Sequence, residues 1–272
     1  MITTVIKFLT SNSIFIGLNG LIVGLFSSNL YGIELNPAIL LATFLVTFSA
    51  YNLNKATDKV EDSINRPRTV SKRGIFYVIP SIIAIIFSLG IIALVGFWPL
   101  MILIVSVIMS LAYSVKLSLS TIWLKEVVGV KSLVVAFSWA FTGSFLPACL
   151  QSVAFEEIIL TFFYIFIVIF VNTILCDILD MNGDMISGLK TIPILLGLNR
   201  TKKFIYAVNS LLIIWLLFCI MERIFVKNQL ALCFGIFYGY GIIWMFSRKN
   251  SNRLLVELVV DGEWIPLITL MN

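Results

Sequence analysis

Long apolar runs, separated by short gaps that hold nearly all of the charge, set the architecture of this chain. Runs of roughly 17–25 residues have the length of helices that cross a bilayer. They lack the every-other-residue alternation of barrel strands. Helices are expected at residues 6–28, from Pro37 to the stretch at Asn54, and at 75–95, 99–114, 127–150, 158–177, 204–221, 230–247 and 254–270. Pro37 suits a first helical turn. The last run carries the weakest signal, because Glu257, Asp261 and Glu263 lie inside it. No linker or low-complexity stretch divides the chain. The expectation is one all-α polytopic membrane domain over residues 1–272, with about nine transmembrane helices.

Composition agrees. Of 272 residues, 60% are hydrophobic and 12% charged, with a mean hydropathy of +1.06. A soluble domain carries roughly a quarter charged residues, so an integral membrane protein is expected. The net charge of +5 does not point to nucleic acid, because the basic residues sit between apolar runs and act as a topology signal. Of 19 Lys and Arg, all but Arg223 and Lys227 fall on one side of the expected helix map. The N-terminus and both Asp-rich stretches are therefore expected in the cytoplasm, with the C-terminus outside. The first apolar run has one lysine before it and no small-residue cleavage site, so no cleavable signal peptide is expected. There is no histidine, and none of the four cysteines forms a CxxC pair. This removes zinc sites of the usual type, imidazole bases and haem ligation by His. The cysteines read as small apolar packing residues.

The chemistry concentrates in two acidic stretches. Asn54, Asp58 and Asp62 recur every four residues and would stack on one helix face. Asp177, Asp180 and Asp184, spaced three and then four, would do the same. One such Asp is accounted for as an interfacial group. Two face-matched clusters repel themselves and add the cost of charge near lipid, so a cation is expected between them. All-oxygen ligands favour Mg²⁺ over Mn²⁺ or Ca²⁺. Magnesium takes only one or two protein carboxylates and fills its shell with water and phosphate oxygens, so a pair of Mg²⁺ ions gripping a diphosphate fits best. The run Asp180 to Asp184 does not have the spacing of an EF-hand loop. Arg66, Arg68 and Lys190 lie a few residues beyond the acids, where they could take up charge on a departing diphosphate, although topology accounts for most of the basic residues. The competing reading is an ion-coupled transporter, for which Glu257 and Asp261 inside the last run are the best support. The Asp clusters lie at helix ends rather than mid-span, which ranks that reading second. No protein partner is inferred.

These motifs resemble those of the UbiA-type membrane-embedded prenyltransferases. That family carries N-x-x-x-D-x-x-x-D near the end of its second helix, matched by Asn54, Asp58 and Asp62. It carries a second D-x-x-x-D after its sixth helix, often with an upstream Asp, matched by Asp180, Asp184 and Asp177 and followed here by Gly188 to Pro193. Tyr113-Ser114-Val115-Lys116 looks like its Tyr-Ser and basic element at the end of helix four. The chain departs from the pattern at Lys55, where many members have Asp, and at Lys131-Ser132, where members often have Asn. The resemblance implies a helix bundle around a central cavity open toward lipid, with Mg²⁺ on Asp58, Asp62, Asp180 and Asp184, supported by Asn54 and Asp177. It implies an isoprenyl diphosphate that ionises, a hydrophobic acceptor that attacks, Lys116 and the other cations on the diphosphate, and the ring of Tyr113 against the carbocation. A quinone-ring precursor, a glycerol lipid, a carotenoid end and a porphyrin tail remain open as acceptors, and a cyclase variant remains open as the reaction.

Overall fold

The structure, a computed structural model, describes residues 2–58, 64–65, 74–114, 129–248 and 252–271. In chain order the helices are α1 (Ile2–Ser11), α2 (Ile14–Tyr31), α3 (Pro37–Thr57), α4 (Ile75–Val95), α5 (Phe97–Ser114) and α6 (Val130–Ala148). There follow α7 (Phe155–Ile186), α8 (Ile192–Leu196), α9 (Leu198–Met221), α10 (Gln229–Phe246), α11 (Arg253–Val259) and α12 (Trp264–Leu270). Short 3₁₀ turns cover Val226–Asn228 and Asp261–Glu263. Among the described residues, 8 helices are long and apolar enough to cross a membrane: α2 to α7, α9, and α10 with the turn before it.

Local chemistry sets the helix ends. Asn36 Oδ1 accepts from the backbone N–H of Ala38 and Ile39 at 3.0 and 3.2 Å, and Pro37 follows at the first helical position. That combination starts α3. Gly32 ends α2 and Gly129 precedes α6, both at positive φ, where a glycine avoids the Cβ clash. The Gly129 N–H donates to the carbonyl of Lys190 at 3.3 Å. This ties the start of α6 to the segment after α7.

The core gathers around α7, where Tyr164, Ile165, Ile174, Leu175 and Ile178 are fully buried. The outer face of α4 leaves Ile83, Ile86 and Leu94 exposed, as a helix facing lipid rather than water should. Gly17, Gly20 and Gly24 let α2 lie close against α3; a Cβ on Gly20 would fall 2.3 Å from Thr47 Oγ1. Small residues at such a seam allow the close packing that holds membrane helices together.

The expected map needs three corrections. The run at 6–28 is two helices, because the chain breaks at Ser13, whose φ is 59°. Lys55 makes the break tolerable: its Nζ donates to the carbonyls of Thr10 and Ser11 at 3.1 and 2.9 Å and to Ser13 Oγ at 2.9 Å. The sixth expected helix does not stop at Asp177 but continues to Ile186, 32 residues in all and about 48 Å long at 1.5 Å per residue. The second acidic stretch therefore continues the same helix, in keeping with its three-and-four spacing. Finally, the run at 254–270 does not form one span. It breaks into α11, a 3₁₀ turn and α12 around the acids that made its signal weak.

Candidate active site

The first acidic stretch lies at the end of α3. Asn54 Oδ1 accepts from Ser114 Oγ at the end of α5. Asp58 follows as the helix C-cap, its backbone N–H donating to Asn54 O at 2.8 Å and its Oδ1 accepting from Thr57 Oγ1 at 3.0 Å. Asp62, Arg66, Arg68 and Lys116 lie outside the described residues.

The second stretch forms a facing wall on α7, and each of its three carboxylates meets a cation. Lys131 Nζ stands between Asp177 Oδ1 at 3.0 Å and Asp184 Oδ2 at 2.8 Å. Both carboxylates are nearly inaccessible, at 4% and 2% side-chain exposure. Ser132 Oγ donates to the other oxygen of Asp177 at 2.7 Å. Arg253, at the start of α11, pairs with Asp180.

The two stretches are physically joined. Asn65, just beyond the first motif, donates from Nδ2 to the carbonyl of Asp180 at 3.2 Å and accepts on Oδ1 from the N–H of Gly183 at 3.1 Å. Gly183 leaves room for this contact, since a Cβ there would fall 2.3 Å from Asn65 Nδ2. Gly183→Ala is expected to dislodge Asn65 and reduce activity at this site by about tenfold to a hundredfold, the scale of a misplacement of about 1 Å. Far-UV circular dichroism should stay unchanged. Wild-type turnover in this variant would show that the bridge does not position the site.

Both walls open on one cavity of about 220 Å³. Asn54, Asp58, Asn65, Asp177, Asp180, Asp184, Lys131 and Arg253 line its polar mouth. Tyr51, Val135, Trp139, Ile169, Leu179 and Trp264 line its apolar part. Tyr113 is buried in the same wall. Lys190 is exposed and does not join the wall, though its neighbour Leu189 does.

Sequence reasoning missed several contributors. Lys131 was visible only as a departure from the family pattern. Arg253, Glu257 and Asp261 line the cavity, and Glu263 is buried against Asn172, whose Nδ2 donates to it and to the carbonyl of Val260 at 3.3 Å. The signal for Glu257, Asp261 and Glu263 was their placement in an apolar run, where a charged side chain needs a partner.

The donor set suits a hard cation, being all oxygen at the acidic positions. Among the described residues, no three acidic or sulfur ligands converge into a ready-made metal cage.

No curated protein matches the sequence. The fold resembles a UbiA homolog from Archaeoglobus fulgidus bound to GPP and Mg²⁺, with a TM-score of 0.73 at 15% identity over 97% of this chain and 96% of that one. It resembles a UbiA homolog from Aeropyrum pernix K1 with a TM-score of 0.67 at 13% identity, over 92% and 96% of the two chains. A structure of digeranylgeranylglyceryl phosphate synthase superposes with a TM-score of 0.62 at 14% identity, over 98% and 95%. The model of the UbiA prenyltransferase family matches residues 21–258, from α2 to α11 and so through both acidic walls, and the chain belongs to that family.

Proposed function

We propose that this prenyltransferase moves an isoprenyl group from an isoprenyl diphosphate to a lipophilic acceptor within the membrane, with residues 1–272 acting as one domain and the acidic mouth facing the cytoplasm. The observation that carries this reading is that both acidic walls open on a single cavity whose other surfaces are apolar and aromatic. A diphosphate and a hydrocarbon tail need those two surfaces side by side. The structural relative from Archaeoglobus fulgidus, bound to GPP and Mg²⁺, supports the same assignment.

Asp58, Asp62, Asp177, Asp180 and Asp184 are the residues that would hold two Mg²⁺ ions. When bound, those ions would offset the charge growing on the diphosphate. Asn54 is held by Ser114 and orients the first wall. Lys131 and Arg253 line the mouth and bring positive charge to the leaving group. Arg66, Arg68 and Lys116, outside the described residues, would share this role, whereas Lys190 is exposed and off the cavity lining. As the carbon–oxygen bond to diphosphate breaks, the electron pair leaves with the diphosphate. The acceptor then forms a bond to that carbon and loses a proton. Tyr113 presents a ring to the allylic cation, and the apolar wall keeps water from it.

The test uses the purified protein in detergent with Mg²⁺, a labelled isoprenyl diphosphate and a panel of acceptors. Diphosphate release that needs an acceptor is expected. Chelation by EDTA should stop it, and added Mg²⁺ should restore it. Turnover that persists after chelation would remove the metal from the mechanism.

A further inference from the structure

Behind the reaction cavity lies a second, smaller one of about 50 Å³. Ala50, Tyr51, Ser110, Ser138 and Trp139 line both, so they form the partition between them. Three helices give the same order of depth. On α3, Asp58 and Asn54 are at the mouth, Tyr51 at the partition, and Thr47 and Thr43 beyond it. On α5 the order is Tyr113, Ser110, Ser106, and on α6 it is Lys131, Trp139, Thr142. The second cavity therefore continues the line of the first into the bundle. From Lys131 to Trp139 the helix rises about 12 Å, the length of a short prenyl chain rather than a long one.

The partition is aromatic. The rings of Tyr51 and Trp139 meet edge to face, with centroids 6.3 Å apart and planes at 82°. Trp139 is only 8% exposed. Beyond it, three hydroxyls are bonded within the protein. Thr43 Oγ1 donates to Leu40 O at 2.8 Å, Ser106 Oγ to Ile102 O at 3.0 Å, and Thr142 Oγ1 to Ser106 Oγ at 2.8 Å. With these three hydroxyls bonded, hydrocarbon entering the space orphans none of them; Ser110 Oγ, in the partition, is buried without a partner among the described residues. Its far side closes on packed helices, since a Cβ on Gly143 would fall 2.5 Å from Val23 Cγ1.

We propose that Tyr51 and Trp139 set the length of isoprenyl chain that this protein accepts. The inference rests on the prenyl-transfer reading. With the diphosphate at the mouth, a chain of about geranyl length reaches the partition. A longer chain meets the two rings, and the second cavity stays out of reach while they stand.

The test is a ladder of binding affinities that needs no acceptor. Unreactive thiolodiphosphates carrying dimethylallyl, geranyl, farnesyl and geranylgeranyl chains are titrated calorimetrically, with Mg²⁺, into the full chain in micelles, corrected for uptake by empty micelles. Wild-type affinity should climb from dimethylallyl to geranyl and then level off. In Trp139→Ala it should climb by a further step at farnesyl of about tenfold or more, the worth of a few additional buried methylenes. Adding Thr142→Leu to that variant, which fills the space beyond, should remove the new step. Tyr51→Ala reads the same ladder if Trp139→Ala does not fold. A wild-type ladder that keeps rising through farnesyl, or one that Trp139→Ala and Tyr51→Ala leave unmoved, overturns the partition. Failure of every chain to bind any form overturns the prenyl-transfer reading instead.

Discussion

Lys131→Met is expected to lose both stability and turnover. Its ammonium is the shared partner of Asp177 and Asp184, two carboxylates that are almost wholly enclosed. Methionine fills similar volume but leaves those carboxylates facing each other. Removing one member of a buried ion pair costs about 3–5 kcal/mol, because the remaining charge stays desolvated. Lys131→Arg should recover only part of the loss, since a planar guanidinium cannot stand as a point charge between the two. Combining Lys131→Met with Asp184→Asn should restore part of the stability, since Asp177 stays unpaired, but not turnover. Thermal unfolding in detergent, read beside diphosphate release, separates the two effects. A Lys131→Met protein that melts with wild type would show that the ammonium does not neutralise this wall.

The second large effect is expected at the acids themselves. Asp180→Ala and Asp58→Ala should each lower turnover by about a thousandfold or more, in the range seen when a group that stabilises transition-state charge is removed. The double variant should be little worse than either single one, because the two walls are proposed to act on one diphosphate as a unit. Asp180→Ala also strands Arg253, so α11 should loosen, which proteolysis near residue 253 would report. Both variants should purify as folded protein. A double variant whose losses simply multiply would mean that the walls do separate jobs.

Much of this site was legible in the sequence because membrane helices write their limits plainly. A charge inside an apolar run is costly, so Asp58, Asp177, Asp180 and Asp184 stood out, and the three-and-four spacing placed Asp177, Asp180 and Asp184 on one face of what proves to be a single helix. The partners were harder to see. Lys131 lies 53 residues from Asp184, and Arg253 lies 73 residues from Asp180. Positive-inside counting places such residues on a side of the membrane but says nothing of what they touch. Asn65 and Gly183 were missed for another reason. A small residue in D-M-N-G-D looks like a turn, whereas its role is to admit a side chain from another segment. The broken last segment was half legible: Glu257, Asp261 and Glu263 weakened the helix signal, but nothing local told that α11 would line the cavity mouth.

The elbow between α1 and α2 has a consequence for biogenesis. The ammonium that satisfies the carbonyl of Ser11 belongs to a residue 44 positions further along the chain. When the ribosome has made only the first two helices, the Ser11 carbonyl still lacks that ammonium, while the Thr10 carbonyl already accepts from the N–H of Ser13 at 3.3 Å. The bend between α1 and α2 is therefore completed only once α3 has been delivered beside it.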